Sequence, residues 1–434
     1  MMGYESQLQF SKEFVEFVAK KHAHIEGFLR APAIQEGVFS PQVLKLPYSV
    51  YEELLKSYVT VRDLLNQKSV LEQVLLIHVD RENVSPESSL HQKSLRLAID
   101  KVSRGELINP GFMSCLDFHW SNQSGLKLIE INTNASQFIA ATLLTEFAKA
   151  RNSYANELSP TKESTPLLAN PAEVLATRPL ASAEPFESLK TEINDRINLS
   201  KSDIKIAIID EKPQEQKAFY EFLCYQSLFK SWGYNCEILD PWTASHEDWN
   251  RFDFIYNRLT DFYLTDSRSH ALKDHFLNSG SSLSPNPFDY AVWADKLNLL
   301  ALSQKSSELS SANIFLDTKP LSDCDLDEVW ANRKKYFLKP INSYGGKAVY
   351  KGASVSRTKF DEIARGSERY LIQEYSPPTE VGGFKFDIRL FIGLRGPMLA
   401  IARLYSGQMT NSKTPGGGLA PIVFSEEVSA ASLS

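Results

Sequence analysis

Glu130 and Asn132 stand two residues apart in the stretch GLKLIEINTNAS, residues 125–136. In a strand, alternate residues share a face. Leu126, Leu128, Glu130 and Asn132 are therefore expected on one side, with Lys127, Ile129 and Ile131 on the other. An apolar face that turns into a carboxylate and a carboxamide offers two hard oxygen donors side by side, which suits magnesium. The plainer reading is a surface carboxylate at a strand end, followed by a turn or cap asparagine.

A second set lies far along the chain. YFLKPINSYGGKAVYKG places Lys339 at a strand end, ahead of a loop with Gly345, Gly346 and Lys347. Such a loop lets backbone N–H groups approach phosphate oxygens, and the lysine supplies charge. A Gly-Gly hairpin alone is common. LIQEY then ends a strand just before Pro377-Pro378, and FDIRLFIG carries Asp387 and Arg389 on one strand face.

The elements that must hold these residues are legible in outline. Residues 1–110 have the apolar spacing of amphipathic helices. FMSCLDFHW and GLKLIEIN, joined by SNQSG, predict an antiparallel hairpin, and 137–152 a helix. Residues 153–200, rich in Ser, Pro, Ala and Glu, read as a linker or surface segment with one late helix. IKIAIID, NCEILD and FDFIYNR alternate with helical pattern and predict a small parallel sheet. Its strand ends, Asp210, Asp240 and Asn257-Arg258, should line a crevice. Residues 284–304 predict a turn and then a helix carrying Lys296. From 336 the strands are short, and the chain closes on a Gly-rich loop.

The order of helix lysine, strand-end Lys-Pro, Gly loop, QEY hinge and Asp-x-Arg strand resembles the ATP-grasp family. The late Glu-x-Asn strand of that family is missing after Arg403. IEINTNAS supplies it early instead, with Asp117 on its hairpin partner. The chain thus resembles a circularly permuted ATP-grasp protein, similar to eukaryotic-type glutathione synthetases over roughly residues 110–140 and 250–425. The implied fold class is α/β (α+β). It has a helical region with the metal-binding hairpin at 1–152, a linker at 153–200, an α/β substrate domain at 201–290 and a nucleotide-binding part at 291–434.

The resemblance implies ATP and Mg²⁺. Asp117, Glu130 and Asn132 match the metal positions. Lys296 and Lys339 match the phosphate lysines, with Gly345, Gly346 and Lys347 over the phosphates. Gln373, Glu374 and Tyr375 match the adenine hinge, where two main-chain groups do the recognition, and Glu380 reaches the ribose. Asn134 and Ser136 match positions near the acceptor substrate. Arg403 and the loop at Gly416, Gly417 and Gly418 match a C-terminal arginine and a Gly-rich lid. The implied activity joins a small-molecule carboxylate to an amine through an acyl phosphate, and the implied assembly is a homodimer. Arg258, Arg389 and Arg403 are the catalytic or substrate-carboxylate candidates.

Two departures keep other readings open. Ser343 stands where the synthetases carry a third metal carboxylate, and Cys115 where they carry a substrate-binding arginine. The second argues against glutathione as product. The alternatives are a degenerate ATP-grasp that binds nucleotide without ligating, and an ATP-grasp kinase. His119 reads as packing or surface.

Bulk properties narrow the classes further. The 434 residues are enough for two or three domains. A net charge of −6 gives no support for nucleic-acid binding. No apolar run approaches the roughly 18 residues of a membrane span, and the first residues lack a signal-peptide core. Four scattered cysteines without a CxxC pair argue against zinc and for reduced thiols in a cytoplasmic protein.

Overall fold

The computed structural model describes residues 4–29, 39–79, 90–151, 184–197, 201–243, 249–279, 283–306, 314–341, 348–408, 410 and 414–425. Gly345, Gly346 and Lys347 lie outside the described residues, as do Ser343 and most of 153–200.

The chain is mixed α/β. Its first strands are β1 (Leu44–Pro47), β2 (Ser114–Ser121) and β3 (Gly125–Asn132). Next come β4 (Lys205–Ile209), β5 (Asn235–Leu239), β6 (Phe254–Asn257) and β7 (Leu283–Ser284). β8 (Thr318–Pro320), β9 (Tyr336–Pro340), β10 (Tyr350–Lys351) and β11 (Tyr370–Glu374) follow. The last are β12 (Glu380–Val381), β13 (Phe384–Gly393), β14 (Gly396–Tyr405) and β15 (Gly418–Ser425).

They form three sheets. The largest runs β1-β15-β14-β13-β2-β3, with β12 paired to β13. A four-stranded sheet runs β10-β9-β11-β8, and a parallel one runs β5-β4-β6-β7. The two central strands of the parallel sheet, β4 and β6, are buried, as strands covered by helices must be.

Period-2 alternation splits the largest sheet into two chemically different faces. Leu116, Phe118, Phe386, Ile388, Leu390, Ala402 and Leu404 point into a core built with the helices Tyr48–Leu65 and Lys68–Val79. The opposite face carries Asp117 and His119 of β2, Asp387 and Arg389 of β13, and Arg403 of β14. Its apolar end, at Cys115, Phe391 and Ile401, packs with residues of the helices Tyr4–Lys21, Phe138–Ala150 and Phe219–Ser231. The N-terminal helices are thus divided between the two faces rather than gathered in one unit.

The expected C-terminal lid is different. The Gly-rich segment turns sharply and enters β15, which lies inside the sheet between β14 and β1. Gly416 and Gly418 have φ of +76° and +101°, a region open to glycine. A Cβ on Gly417 would meet the Leu404 carbonyl oxygen at 2.5 Å. Gly417 and Gly418 are buried and line neither cavity described below. We expect Gly417→Ala to cost about 1–3 kcal/mol in urea unfolding. A loss below about 0.5 kcal/mol would mean the turn relaxes freely.

Candidate functional site

The hairpin β2–β3 answers the face problem posed by Glu130. Asp117 pairs with Glu130 and Phe118 with Leu128, so Ile129 is an extra residue, a β-bulge. The bulge reverses the alternation. Leu126, Leu128 and Ile131 all enter the core, while Glu130 and Asn132 face the cavity. The expected grouping of Leu126 and Leu128 with Glu130 on one face is therefore corrected. The Ile129 carbonyl also accepts a 2.9 Å hydrogen bond from Lys339 Nζ. One inserted residue thus aims the carboxylate and anchors the lysine opposite it.

The floor of the site is a buried ion network across three strands. Arg389 Nε and Nη2 donate to Asp117 Oδ1 and Oδ2 at 2.8 and 2.7 Å. Arg403 Nη2 donates to Asp117 Oδ2 at 3.0 Å and its Nε to Asp387 Oδ1 at 2.6 Å. The Thr410 hydroxyl donates to Asp387 Oδ2. Burial alone would raise the Asp117 carboxyl, but Arg389 and Arg403 override it and hold it below the usual carboxylate range. Both Asp117 oxygens thus accept from an arginine. Among the described residues no three His, Cys, Asp or Glu side chains gather to hold a metal ion. The expected metal residues Asp117, Glu130 and Asn132 all line one cavity, with Asp117 engaged by arginine. Asn132 Nδ2 lies 3.3 Å from Asp117 Oδ2, which leaves its Oδ1 as a donor to a cation. The Glu130 carboxylate makes no hydrogen bond or ion pair among the described residues.

Lys296 and Lys339 come together beside Glu130 although they are far apart in sequence. Lys339 is the fourth residue of β9, and Lys296 opens the helix Lys296–Ser306 directly after a π-helical turn at Tyr290–Ala294. The expected continuous helix is broken at Asp295, whose carboxylate caps Leu297 N at 2.9 Å. Burial lowers both ammonium groups. Lys339 falls to about 8, with Glu130 acting against the shift and Lys296 adding to it.

These groups line a cavity of about 330 Å³. It is apolar beside the hinge, where Phe337 pairs with Gln373 across β9 and β11 and Leu316 and Val349 join the lining with Glu374. The hinge differs from expectation in its hydrogen bonding. The N–H groups of Glu374 and Tyr375 already donate to the carbonyls of Asp317 and Lys335, at 2.8 and 2.7 Å. These two amides belong to the sheet and are not open to a base. The Tyr375 side chain is turned to Lys351, whose Nζ lies 4.1 Å from the ring centroid. Glu380 is exposed on the two-residue edge strand β12 and does not line the cavity.

A second cavity, of about 620 Å³, opens at the ends of β4 and β6. Arg258 is buried at its base. Its Nη1 donates to Asn134 Oδ1 at 2.5 Å and to Tyr256 Oη at 3.0 Å, and its Nη2 donates to Ser136 Oγ at 2.9 Å. Asn134 and Ser136 thus hold the arginine. Their loop is pinned by Ala135 N on the Met113 carbonyl (2.8 Å) and Gln137 N on Glu221 Oε1 (2.5 Å). Arg258 Nε has no partner, and no carboxylate lies within ion-pair distance among the described residues. Burial raises Asp210, also in the lining, to about 6. Asp240, expected in the same crevice, instead accepts from Lys212 N and Trp242 N and lines neither cavity.

The two cavities share Glu130, Asn132, Lys296 and Arg389. Polar residues of the first lining not assigned to the site from the sequence are His119, Ser376, Tyr405, Gln408 and Thr410. His119 shares strand parity with Asp117, and Tyr405 with Arg403, so spacing alone could have found those two.

No model of a known protein family matches the chain, and no curated protein matches it. Among solved structures, one provisionally described as a gamma-glutamylcysteine synthetase from Methylobacillus flagellatus KT is similar. It is 9% identical over 87% of each chain, with a TM-score of 0.42. A likeness at that level decides neither fold family nor chemistry. Among the described residues no helix is long and apolar enough to cross a membrane.

Proposed function

We propose that the chain is an ATP- and magnesium-dependent carboxylate–amine ligase built on a circularly permuted ATP-grasp fold. The observation that carries this reading is the meeting of two cavities at Glu130, Asn132, Lys296 and Arg389. A nucleotide in the smaller cavity would bring its terminal phosphate to the mouth of the larger one, where a carboxylate can attack. The larger cavity supplies a cation, since buried Arg258 has an N–H without a hydrogen-bond partner and no carboxylate within ion-pair distance among the described residues, Glu221 and Asp210 acting on it only from further away.

In this reading Lys296 and Lys339 hold the phosphates. The buried Asp117–Arg389–Arg403–Asp387 network keeps two guanidinium groups rigid at the transfer point. Glu130 and Asn132 fit magnesium, which takes oxygen donors and needs only one or two carboxylates when phosphates are present. Magnesium, when bound, offsets the charge of the transferring phosphoryl group. A substrate carboxylate oxygen bonds to the γ-phosphorus as ADP leaves. An amine then displaces phosphate from the acyl phosphate and forms the amide.

ADP release from Mg-ATP, measured over amino acids and dipeptides paired with amines, tests this. One carboxylate–amine pair should stimulate release, and Glu130→Ala should lower it about a hundredfold or more. Stimulation by a single compound would indicate a kinase. Nucleotide binding without stimulation by any pair would favour a non-ligating protein, the reading to which the arginine-locked Asp117 lends weight.

A further inference from the structure

His119 lies on the site face of β2 and is 8% exposed, its side chain lining the first cavity. Its Nδ1 is 2.7 Å from the Ser376 carbonyl oxygen. A carbonyl only accepts, so Nδ1 carries the hydrogen and donates it. Nε2 has no protein partner among the described residues. The ring is therefore fixed in orientation by one nitrogen and presents the other to a ligand.

Its place along the cavity identifies the ligand group. Ser376 follows the hinge residues Gln373 and Glu374, next to the apolar end at Leu316 and Phe337. His119 is also within electrostatic reach of Lys339, Asp387 and Arg403. A nucleotide with its base at the apolar end and its phosphates at the cationic end has its sugar between them. We propose that His119 Nε2 binds a ribose hydroxyl of the nucleotide, an inference that rests on the nucleotide reading above. A hydroxyl donates and accepts, so it satisfies Nε2 whether or not that nitrogen carries a hydrogen. Glu380, the residue the resemblance offers for the sugar, lies outside the cavity.

The test is calorimetric binding of ATP, 2′-deoxy-ATP and 3′-deoxy-ATP to the full chain and to two variants. His119→Phe removes both nitrogens. His119→Asn can still donate to the Ser376 carbonyl but does not reach the Nε2 position, and it serves if the first fails to fold. The wild type should bind one deoxynucleotide about tenfold more weakly than ATP, the scale of one hydrogen bond. The variants should bind ATP about tenfold more weakly and no longer distinguish it from that analogue. The position of the discriminating hydroxyl, 2′ or 3′, names the contact. If the wild type binds all three equally, or the variants discriminate as it does, the assignment of His119 falls while the nucleotide site stands. If the wild type binds no ATP, the nucleotide reading falls and takes the assignment with it.

Discussion

Arg389→Met should destabilise the protein by about 3–5 kcal/mol, the usual cost of leaving one buried charge without its partner. Arg389 is the bidentate partner of Asp117, and the carboxylate is 2% exposed. Arg403 would remain against one Asp117 oxygen, but its Nε is already given to Asp387. Urea unfolding of the variant beside the double substitution Arg389→Met with Asp117→Asn separates causes. The double variant should recover much of the loss, because the unpaired charge is gone. Equal losses in both would mean that shape, not charge, sets the cost. The pH dependence has a definite sign. The Asp117 carboxyl is depressed in the folded state, so its contribution is fully present above the ordinary carboxylate range. It is lost as pH falls below that range toward the depressed value. Acid should therefore destabilise the wild type more steeply than the double variant.

On the proposed nucleotide reading, Lys339→Met should weaken ATP binding by about ten- to a hundredfold, the worth of a charge-assisted hydrogen bond or two. The same residue should make binding pH-dependent. Burial lowers the folded Lys339 to about 8, against an ordinary value near 10.5. The ammonium is thus present below about 8 and lost above it, and affinity for ATP should fall as pH rises from 7 to 9. Lys339→Met should flatten that profile. Stability should move the opposite way. Between about 8 and 10.5 the unfolded chain binds more protons at this position than the folded one, so folding gains stability as pH rises through that window. A profile for ATP binding that is flat in the wild type would remove Lys339 from the phosphate site.

The amino-acid sequence alone determined most of the strands and the pairing of residue types. Period-2 alternation located β2 and β3, and the strand–helix–strand pattern located β4, β5 and β6. The local pattern also placed Asp387 with Arg389 and put Lys339 at a strand end, because side-chain direction in a strand is set by neighbours one and two residues away. Tertiary structure decided the rest. The bulge at Ile129 depends on which residue of β2 faces which of β3, and one unmatched residue inverted the faces deduced for Glu130 and Asn132. That Asp117 is an arginine partner rather than a free metal ligand follows from two arginines on β13 and β14, some 270 residues away in sequence. The Gly-rich segment looked like a lid because glycine content reports backbone freedom and not burial. Only the neighbouring strand β14, whose Leu404 carbonyl leaves no room for a Cβ, shows why glycine is needed there. The hinge amides likewise read as open until Asp317 and Lys335 were found to receive them. The common reason is that hydrogen-bond partners and ion pairs are assigned between segments distant in the chain, where spacing within a segment carries no information.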